Sequence, residues 1–229
     1  MKSTINVIIL DNSRIFTLNL DDLKNECLKQ KDYGTLFYLE GNSHTAQYVT
    51  AFDELKTVKN LYYKSYNNSA EIRISTNELN KLSKKYQKIF YITDVSELKI
   101  LDKIEQEIPN ISKNVKIILF NSTPFLGNID PLKCLISKTN CTSSKQGDFK
   151  KRNLEKINNK LTNLEKKYKN LHIFDSYNAL CPDKKCPIYK VHEDILYYVD
   201  NNHLSMEGSR LLANRLLIFF EREYINSKF

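Results

Sequence analysis

The stretch DNNHLSMEGS, residues 200–209, places an aspartate and a histidine three residues apart near the C-terminus. Histidine can accept a proton near neutral pH, which suits it to activating a weak nucleophile such as a serine hydroxyl. On a tight turn, the carboxylate of Asp200 can fix the tautomer of the His203 ring and stabilise its protonated form. A D-x-x-H sequence alone is more often a helix cap or an exposed polar pair. A catalytic role therefore requires a nucleophile elsewhere in the chain.

A candidate nucleophile is Ser43, in the sequence LEGNSHTAQ (39–47). It follows an apolar run that ends in Gly41, so it falls where a buried strand gives way to a helix. In open parallel sheets, chemistry sits at the carboxyl ends of strands, and a helix start offers backbone N–H groups and the positive end of the helix dipole. Serine is also a common N-cap at such a junction, so position alone leaves both interpretations open. The presence of Asp200 and His203 favours the nucleophile.

These side chains need a scaffold that brings both ends of the chain together. From Thr35 onward, short apolar runs alternate with segments of helical spacing. Strands that are apolar on both faces and alternate with helices predict an α/β fold, in which a parallel five-stranded sheet lies between two layers of helices. We expect a flavodoxin-like order of strands. Strands are predicted at 35–40, 60–66, 88–93, 115–120 and 171–175, and helices at 44–56, 76–86, 95–107, 149–169 and 205–224.

Two regions fit this alternation less well. Residues 1–33 are predicted to be an N-terminal extension that packs on the core, with a strand in INVIIL (5–10) and a short helix in LDDLKNECLKQ (20–30). The catalytic domain is then expected to span residues 34–229. Residues 123–147 are predicted to be one long ordered loop, and loops of that length in compact domains are commonly functional or covalently pinned.

The formal net charge is +8. Its lysines are spread along helical segments with acids interleaved, as at residues 150–170, and this pattern is typical of a solvated helix face. No nucleic-acid-binding motif accompanies it, so we expect no nucleic-acid partner. No apolar run approaches the roughly 20 residues of a membrane-spanning helix, and the first apolar run is too short for a secretory signal. We expect the chain as given to be soluble, and it can be part of a larger protein.

Four of the five cysteines form two local pairs. Cys134 and Cys141 flank LISKTN, and Cys181 and Cys186 flank PDKK, which leaves Cys27 over. Two disulfides in an oxidising compartment fit this spacing best. Free cytosolic thiols are a second interpretation. A metal site is the third, and the C-x6-C and C-x4-C spacings are a weak metal signature.

The chain resembles SGNH-type (GDSL-like) serine esterases and acyltransferases. More narrowly, it resembles the extracytoplasmic SGNH domain fused to membrane-bound acyltransferase-3 proteins, which O-acylate bacterial surface glycans. The resemblance covers about residues 33–225 and rests on GNSH (41–44) and D-x-x-H-L-S-x-x-G (200–208). The segments IILFNSTPFLGNIDPLKC (117–134) and LCPDKKC (180–186) also match. The resemblance implies that Ser43 is the nucleophile, His203 the general base and Asp200 its orienting acid, with the backbone N–H of Ser43 as the first oxyanion donor.

The chain departs from the family pattern around the oxyanion hole. Asn42 stands where the family usually has an aspartate. The second block maps onto YNNSAE (66–71), which has no glycine, and the third onto YITD (91–94), which lacks the asparagine of G-x-N-D. Removing one oxyanion donor costs about 3 kcal/mol of transition-state stabilisation. The residues that we expect to complete the oxyanion hole or line the pocket are Asn42, His44, Asn68, Ser69, Thr93 and Asp94.

The resemblance implies an O-acyltransferase that moves an acyl group, expected to be acetyl, through an acyl-serine onto a hydroxyl of an envelope glycan. It implies a membrane-bound acyltransferase-3 domain, in the same or a separate chain, as acyl donor, an extracytoplasmic location tethered by an N-terminal membrane domain, and no cofactor or metal. We expect the isolated domain to be monomeric. Two alternatives stay open: a carbohydrate esterase that uses water as acceptor, and a catalytically weak glycan-binding module.

Overall fold

The computed structural model describes residues 6–11, 14–19, 34–55, 58–65, 74–144 and 154–222. These residues form ten strands: β1 (Asn6–Asp11), β2 (Arg14–Asn19), β3 (Thr35–Gly41), β4 (Asn60–Ser65), β5 (Lys88–Val95), β6 (Val115–Asn121), β7 (Cys141–Ser144), β8 (Leu171–Phe174), β9 (Lys185–Lys190) and β10 (Ile195–Leu196). They also form eight α-helices: α1 (Ser43–Ala46), α2 (Val49–Glu54), α3 (Thr76–Leu82), α4 (Leu98–Glu107), α5 (Pro131–Ser137), α6 (Leu154–Lys167), α7 (Ser176–Leu180) and α8 (Met206–Phe220).

The central sheet has five parallel strands in the order β4-β3-β5-β6-β8. All five are strands predicted from the sequence, and their ends fall within two residues of the predicted ends. The order reverses at β3, as in the flavodoxin-like arrangement. The predicted α/β sheet is therefore confirmed, and a reversal of strand order is where such sheets place a ligand site.

Helices cover both faces of this sheet. On one face, Phe37 of β3 packs against Phe52 of α2 and Phe220 of α8, with ring centroids 5.7 and 5.2 Å apart. On the other face, Tyr38 stacks on Tyr62 and Tyr91 of the neighbouring strands. Neighbours on a strand point to opposite faces, so β3 is apolar on both and is buried along almost its whole length. Among the described residues, no helix is both long enough and apolar enough to span a membrane.

A second, antiparallel sheet was not predicted. Its order is β10-β9-β7, and β7 lies inside the segment 123–147 that the sequence suggested was one loop. That prediction was wrong, because the segment also contains α5, whose N-cap Asp130 accepts a hydrogen bond from the backbone N–H of Leu132 at 3.0 Å. Both elements are short, and a seven-residue helix or a four-residue strand has little periodicity of its own to detect.

The predicted helix 44–56 is also divided. It forms as α1 and α2, and the chain turns between them at Gln47 and Tyr48. Both side chains are buried at this turn, and the Tyr48 hydroxyl donates to Asp94 at 3.0 Å. Tertiary hydrogen bonds thus replace a continuous helical ladder at the place where the chain passes over the end of the sheet.

The N-terminal region contains one hairpin. Strands β1 and β2 pair with each other in a separate antiparallel sheet, and β1 lies near α8. The strand predicted in INVIIL therefore forms but does not join the central sheet. The helix predicted at 20–30 and Cys27 lie outside the described residues, and the domain boundary at residue 33 stays a prediction.

The two predicted disulfides are present. Cys134 on α5 is bonded to Cys141 at the start of β7, and Cys181 after α7 is bonded to Cys186 on β9. Each bond fastens the small antiparallel sheet to a neighbouring helix. The disulfide interpretation of the cysteine spacing is confirmed.

Replacing Cys181 and Cys186 together with alanine should lower the free energy of unfolding by about 2 kcal/mol, because the unfolded chain regains the entropy of a short loop. Urea denaturation of the variant and of the wild type checks this. The wild type in dithiothreitol is measured alongside, and it loses both disulfides without losing any side-chain volume. Equal stability of oxidised wild type, reduced wild type and variant would contradict a stabilising role.

Candidate active site

The turn that carries Ser43 follows directly from the end of β3. Asn42 is the N-cap of α1, and its side-chain oxygen accepts a hydrogen bond from the backbone N–H of His44 at 2.9 Å. Gly41 is required for close packing, because a Cβ atom there would lie 2.0 Å from the buried Thr45 hydroxyl oxygen. That oxygen accepts a hydrogen bond from the N–H of Asp94 at 3.1 Å, which fastens α1 to β5. Ser43 is therefore the first residue of a helix held against the carboxyl edge of the sheet.

A buried tyrosine braces the same turn from the neighbouring strand. The hydroxyl of Tyr63 on β4 lies 3.3 Å from the carbonyl oxygens of both Gly41 and Asn42 and donates to them. These carbonyls precede Ser43 where the chain leaves the strand. Tyr63 is fully buried, so the brace is shielded from water.

The side chains of Ser43, His203 and Asp200 form one hydrogen-bonded chain. The Nε2 atom of His203 lies 2.9 Å from Ser43 Oγ, across 160 residues of sequence. The Nδ1 atom of the same ring lies 2.7 Å from Asp200 Oδ2. With the ring proton on Nδ1, His203 donates to Asp200 and Nε2 is left to accept from Ser43. A hydroxyl, an imidazole and a carboxylate in this order can generate a serine nucleophile for attack on a carbonyl carbon.

The acid and the histidine lie on a tight turn. Oδ1 of Asp200 accepts from the backbone N–H groups of Asn202 at 2.8 Å and His203 at 2.7 Å. The N–H of Val199 donates to the carbonyl of His203 at 3.0 Å, and a β-bridge pairs Tyr198 with Leu204. The turn therefore fixes both carboxylate oxygens, one on the backbone and one on the ring.

These contacts determine the protonation of Asp200. Partial burial acts to raise the pKa of its carboxyl. The hydrogen bond with the His203 ring, the backbone N–H groups and the charge of His203 together outweigh burial and lower this pKa to about 2. The carboxyl group is therefore ionised throughout the neutral and mildly acidic range.

An NMR titration of the Asp200 carboxyl carbon should show a midpoint near pH 2. Because an unfolded aspartate has a pKa of about 3.9, the unfolded chain binds this proton first as the pH falls. The stabilisation from this group is thus complete above about pH 4 and is lost as the pH falls towards 2. In the variant His203→Gln the midpoint should rise, since the contact with the ring is gone. A wild-type midpoint near 4 would contradict the contact.

Helix α8, which follows the turn, packs closely against the backbone of Tyr197. Ser205 is the N-cap of α8, and its hydroxyl accepts from the N–H of Gly208 at 3.0 Å. A Cβ atom on Gly208 would lie 2.0 Å from the carbonyl oxygen of Tyr197. The last glycine of the D-x-x-H-L-S-x-x-G sequence is therefore explained by the close contact between α8 and the backbone of Tyr197, just before the turn.

Gly208→Ala should lower the free energy of unfolding by about 1–3 kcal/mol, because the backbone of α8 must move away from Tyr197. Thermal or urea denaturation measures the change. Asn214→Ala, at an exposed position of the same helix, is the matched control and should change stability by less than about 0.5 kcal/mol. Equal stabilities of the two variants would show that α8 has room for the methyl group.

His44 lies beside the hydrogen-bonded chain of Ser43, His203 and Asp200. Its ring stacks on that of His203, with centroids 4.8 Å apart and planes inclined by 17°. The sequence suggested that His44 lines the pocket at the start of the helix, and its half-buried position against His203 agrees with that placement. Its role in the chemistry stays a prediction.

The other residues expected near the oxyanion hole have different surroundings. Asn42 caps α1 through its side-chain oxygen, and Asp94 accepts from Tyr48 behind α1. Thr93 is buried, and its hydroxyl makes no hydrogen bond to the residues that the structure describes. Asn68 and Ser69 lie outside the described residues. An oxyanion role for these residues therefore stays a prediction. The candidate backbone donor at the start of α1 is the N–H of Ser43, since the N–H of His44 already donates to Asn42.

Sequence reasoning missed two polar side chains next to this hydrogen-bonded chain. Gln47 and Thr123 are buried between α1 and the Asp200–His203 turn, and they hydrogen-bond to each other at 3.2 Å. The available signals were the position of Gln47, one helical turn after Ser43, and that of Thr123, just beyond the carboxyl end of β6. Among the described residues, no group of three or more His, Cys, Asp or Glu side chains is placed to hold a metal ion.

Comparison with known proteins identifies relatives of this chain. A family model described as "SGNH domain (fused to AT3 domains)" matches residues 16–217. No curated protein matches the chain in sequence. Among solved structures, the periplasmic domain of the lipopolysaccharide acetyltransferase from Salmonella ser. Paratyphi A is 16% identical, with a TM-score of 0.59 over 85% of each chain. The C-terminal catalytic domain of peptidoglycan O-acetyltransferase A from Streptococcus pneumoniae is 16% identical, with a TM-score of 0.49 over 83% of this chain and 94% of the other. The first of these structures shows a shared fold.

Proposed function

Since the chain belongs to the family of SGNH domains that are fused to AT3 domains, we propose that it is an O-acyltransferase that moves an acyl group, through an acyl-serine, onto a hydroxyl of a bacterial envelope glycan. The observation that carries this proposal is the hydrogen-bonded chain from Ser43 through His203 to Asp200. The catalytic residues are Ser43 as nucleophile, His203 as general base and Asp200 as the group that orients the ring.

The first half of the reaction forms the acyl-enzyme. Ser43 Oγ attacks the carbonyl carbon of the acyl donor while His203 Nε2 takes the hydroxyl proton. The carboxylate of Asp200 stabilises the imidazolium that results. The backbone N–H of Ser43, at the start of α1, donates to the carbonyl oxygen as its negative charge develops. When the donor's C–O or C–S bond breaks, His203 gives the proton to the leaving group and Ser43 carries the ester.

The second half returns the enzyme to its starting state. His203 takes a proton from a hydroxyl of the glycan, and the resulting oxygen attacks the carbonyl carbon of the acyl-serine. The ester bond to Ser43 breaks, and its oxygen recovers the proton from His203. No redox change occurs, and the acyl bond of the donor is exchanged for an ester bond to the glycan.

The donor and the location follow from the family. An AT3 domain, in the same or a separate chain, is proposed to deliver the acyl group, since the family is described as fused to such domains. We propose that the domain lies on the extracytoplasmic side of the membrane and that the AT3 domain tethers it there. Two disulfides support this placement, because such bonds persist in oxidising compartments.

Transfer and hydrolysis are separated by the fate of the acyl group. The purified protein is incubated with p-nitrophenyl acetate, with and without an envelope-type oligosaccharide, and both O-acetyl sugar and free acetate are measured. The proposal predicts that O-acetyl sugar forms and that free acetate decreases when the oligosaccharide is present. Acetate released at one rate in both mixtures, with no O-acetyl sugar, would contradict transfer and favour a carbohydrate esterase.

A further inference from the structure

The side-chain amide of Gln47 joins the two halves of the candidate site. Gln47 lies at the end of α1, four residues after Ser43, and its side chain is almost fully buried. Its two polar atoms contact backbone groups next to Ser43 and next to His203. We propose that Gln47 is a positioning residue, which sets the distance between Ser43 Oγ and His203 Nε2.

The oxygen end of the amide holds the histidine turn. Gln47 Oε1 accepts a hydrogen bond from the backbone N–H of Leu204 at 2.7 Å, across 157 residues of sequence, and this contact is buried. Leu204 directly follows His203 and pairs with Tyr198 across the tight turn. The amide therefore fixes the strand segment from which the His203 ring projects.

The nitrogen end holds the serine turn and the loop after β6. Gln47 Nε2 donates to the carbonyl oxygen of His44 at 2.9 Å and to the hydroxyl of Thr123 at 3.2 Å. His44 directly follows Ser43. The Thr123 hydroxyl in turn donates to the carbonyl of Asn202 at 3.4 Å, so a second path leads from the same amide to the histidine turn.

The chemistry of these contacts requires a carboxamide. One end must accept from an N–H group, and the other must donate to a carbonyl oxygen and to a hydroxyl. A carboxylate of the same length places an oxygen against the carbonyl of His44, and a thioether offers no N–H donor. Two turns that come from opposite ends of the chain have no covalent reason to keep a fixed separation. A buried amide between them supplies a directional link that apolar packing lacks.

The consequence for catalysis rests on the proposed function. Proton transfer from Ser43 to His203 needs a hydrogen bond of about 2.6–3.2 Å, and the observed distance is 2.9 Å. A displacement of about 1 Å at a reacting group can cost 10²-fold in rate. Because Gln47 contacts neither reacting atom, its loss should change kcat and leave KM for a small ester almost unchanged.

The test uses Gln47→Met, which keeps the length of the side chain and removes its three hydrogen bonds. With p-nitrophenyl acetate, kcat should fall about 10- to 100-fold, with KM within about threefold of the wild type. Gln47→Glu keeps the acceptor for the N–H of Leu204, so its kcat should lie between those of the wild type and Gln47→Met. The matched control is Ser209→Ala. The buried hydroxyl of Ser209 links α8 to α2, because it accepts a hydrogen bond from the N–H of Ala51 at 3.0 Å. Ala51 is not adjacent to Ser43 or His203. The control should keep kcat within about twofold.

A second measurement needs no turnover. In protein labelled with ¹⁵N at its histidines, Gln47→Met should move the His203 Nε2 resonance towards its position in Ser43→Ala, while Ser209→Ala leaves it in place. An unchanged resonance in Gln47→Met, or a kcat within twofold of the wild type, would overturn the proposal. If the wild type has no Ser43-dependent turnover, the proposed function fails, and the resonance still decides whether Gln47 positions the pair.

Discussion

Replacing Ser43 with alanine should lower the rate of acyl transfer by at least about 10⁴-fold, because the proposed mechanism forms its acyl intermediate on the Ser43 hydroxyl. The substitution removes one hydroxyl, whose hydrogen bond goes to the ring of His203. The free energy of unfolding should therefore change by only about 1 kcal/mol. Initial rates with p-nitrophenyl acetate and an oligosaccharide acceptor measure the effect, and circular dichroism with urea denaturation confirms that the variant is folded.

Ser137→Ala is the matched control for this experiment. Ser137 is an exposed serine at the end of α5, remote in sequence from both Ser43 and His203, and its loss should leave the rate within twofold of the wild type. A folded Ser43→Ala variant with more than about a hundredth of the wild-type rate would contradict the nucleophilic role. A remaining rate of up to about 10³–10⁴ times the uncatalysed rate is compatible with the nucleophilic role, since binding and oxyanion contacts persist.

Asp200→Asn should lower kcat by about 10⁴-fold, although the new side chain is nearly the same size. The reason is that the two carboxylate oxygens of Asp200 have different partners. Oδ1 accepts from the two backbone N–H groups of the turn, so the amide nitrogen of asparagine takes the place of Oδ2, which faces His203 Nδ1. An N–H at that place requires Nδ1 to be an acceptor, which puts the ring proton on Nε2. The ring then cannot accept the proton of Ser43.

The control for this variant is Asp183→Asn. Asp183 is exposed and has φ +56°, a conformation in which asparagine is at least as well tolerated as aspartate. It should retain full kcat. A ¹⁵N spectrum of the histidines should show the proton of His203 on Nε2 in Asp200→Asn and on Nδ1 in the wild type. A kcat above about a tenth of the wild-type value would contradict the proposed role of Asp200.

The central sheet could be predicted because its signal is local and strong. Strands such as β3 and β6 are apolar on both faces, and the helices between them have their own period, so each element is recognisable without knowledge of its neighbours. The pairing of Ser43 with His203 was suggested by the position of Ser43 at a strand end, where parallel sheets place their chemistry, and by the resemblance of the chain to a known family. The disulfides followed from the two short cysteine spacings.

The features that escaped prediction depend on contacts between distant residues. The break between α1 and α2 occurs where Gln47 and Tyr48 turn inward to partners at Leu204 and Asp94, and nothing in the sequence 44–56 states that these partners exist. The antiparallel sheet is built from strands of two to six residues that are stable only against each other and the rest of the domain. Side-chain hydrogen bonds between turns have no period at all, so Gln47 could only be found in the structure.

The most direct test of the account is the identification of the acyl-serine. The wild-type protein is mixed with p-nitrophenyl acetate, quenched in acid, digested and analysed by mass spectrometry with peptide fragmentation. We predict one acetyl group on Ser43, its loss on addition of the oligosaccharide with the appearance of O-acetyl sugar, and no acetyl at this position in Ser43→Ala. Acetylation confined to other residues, at the same level in wild type and Ser43→Ala and with equal turnover by both, would contradict the proposed mechanism.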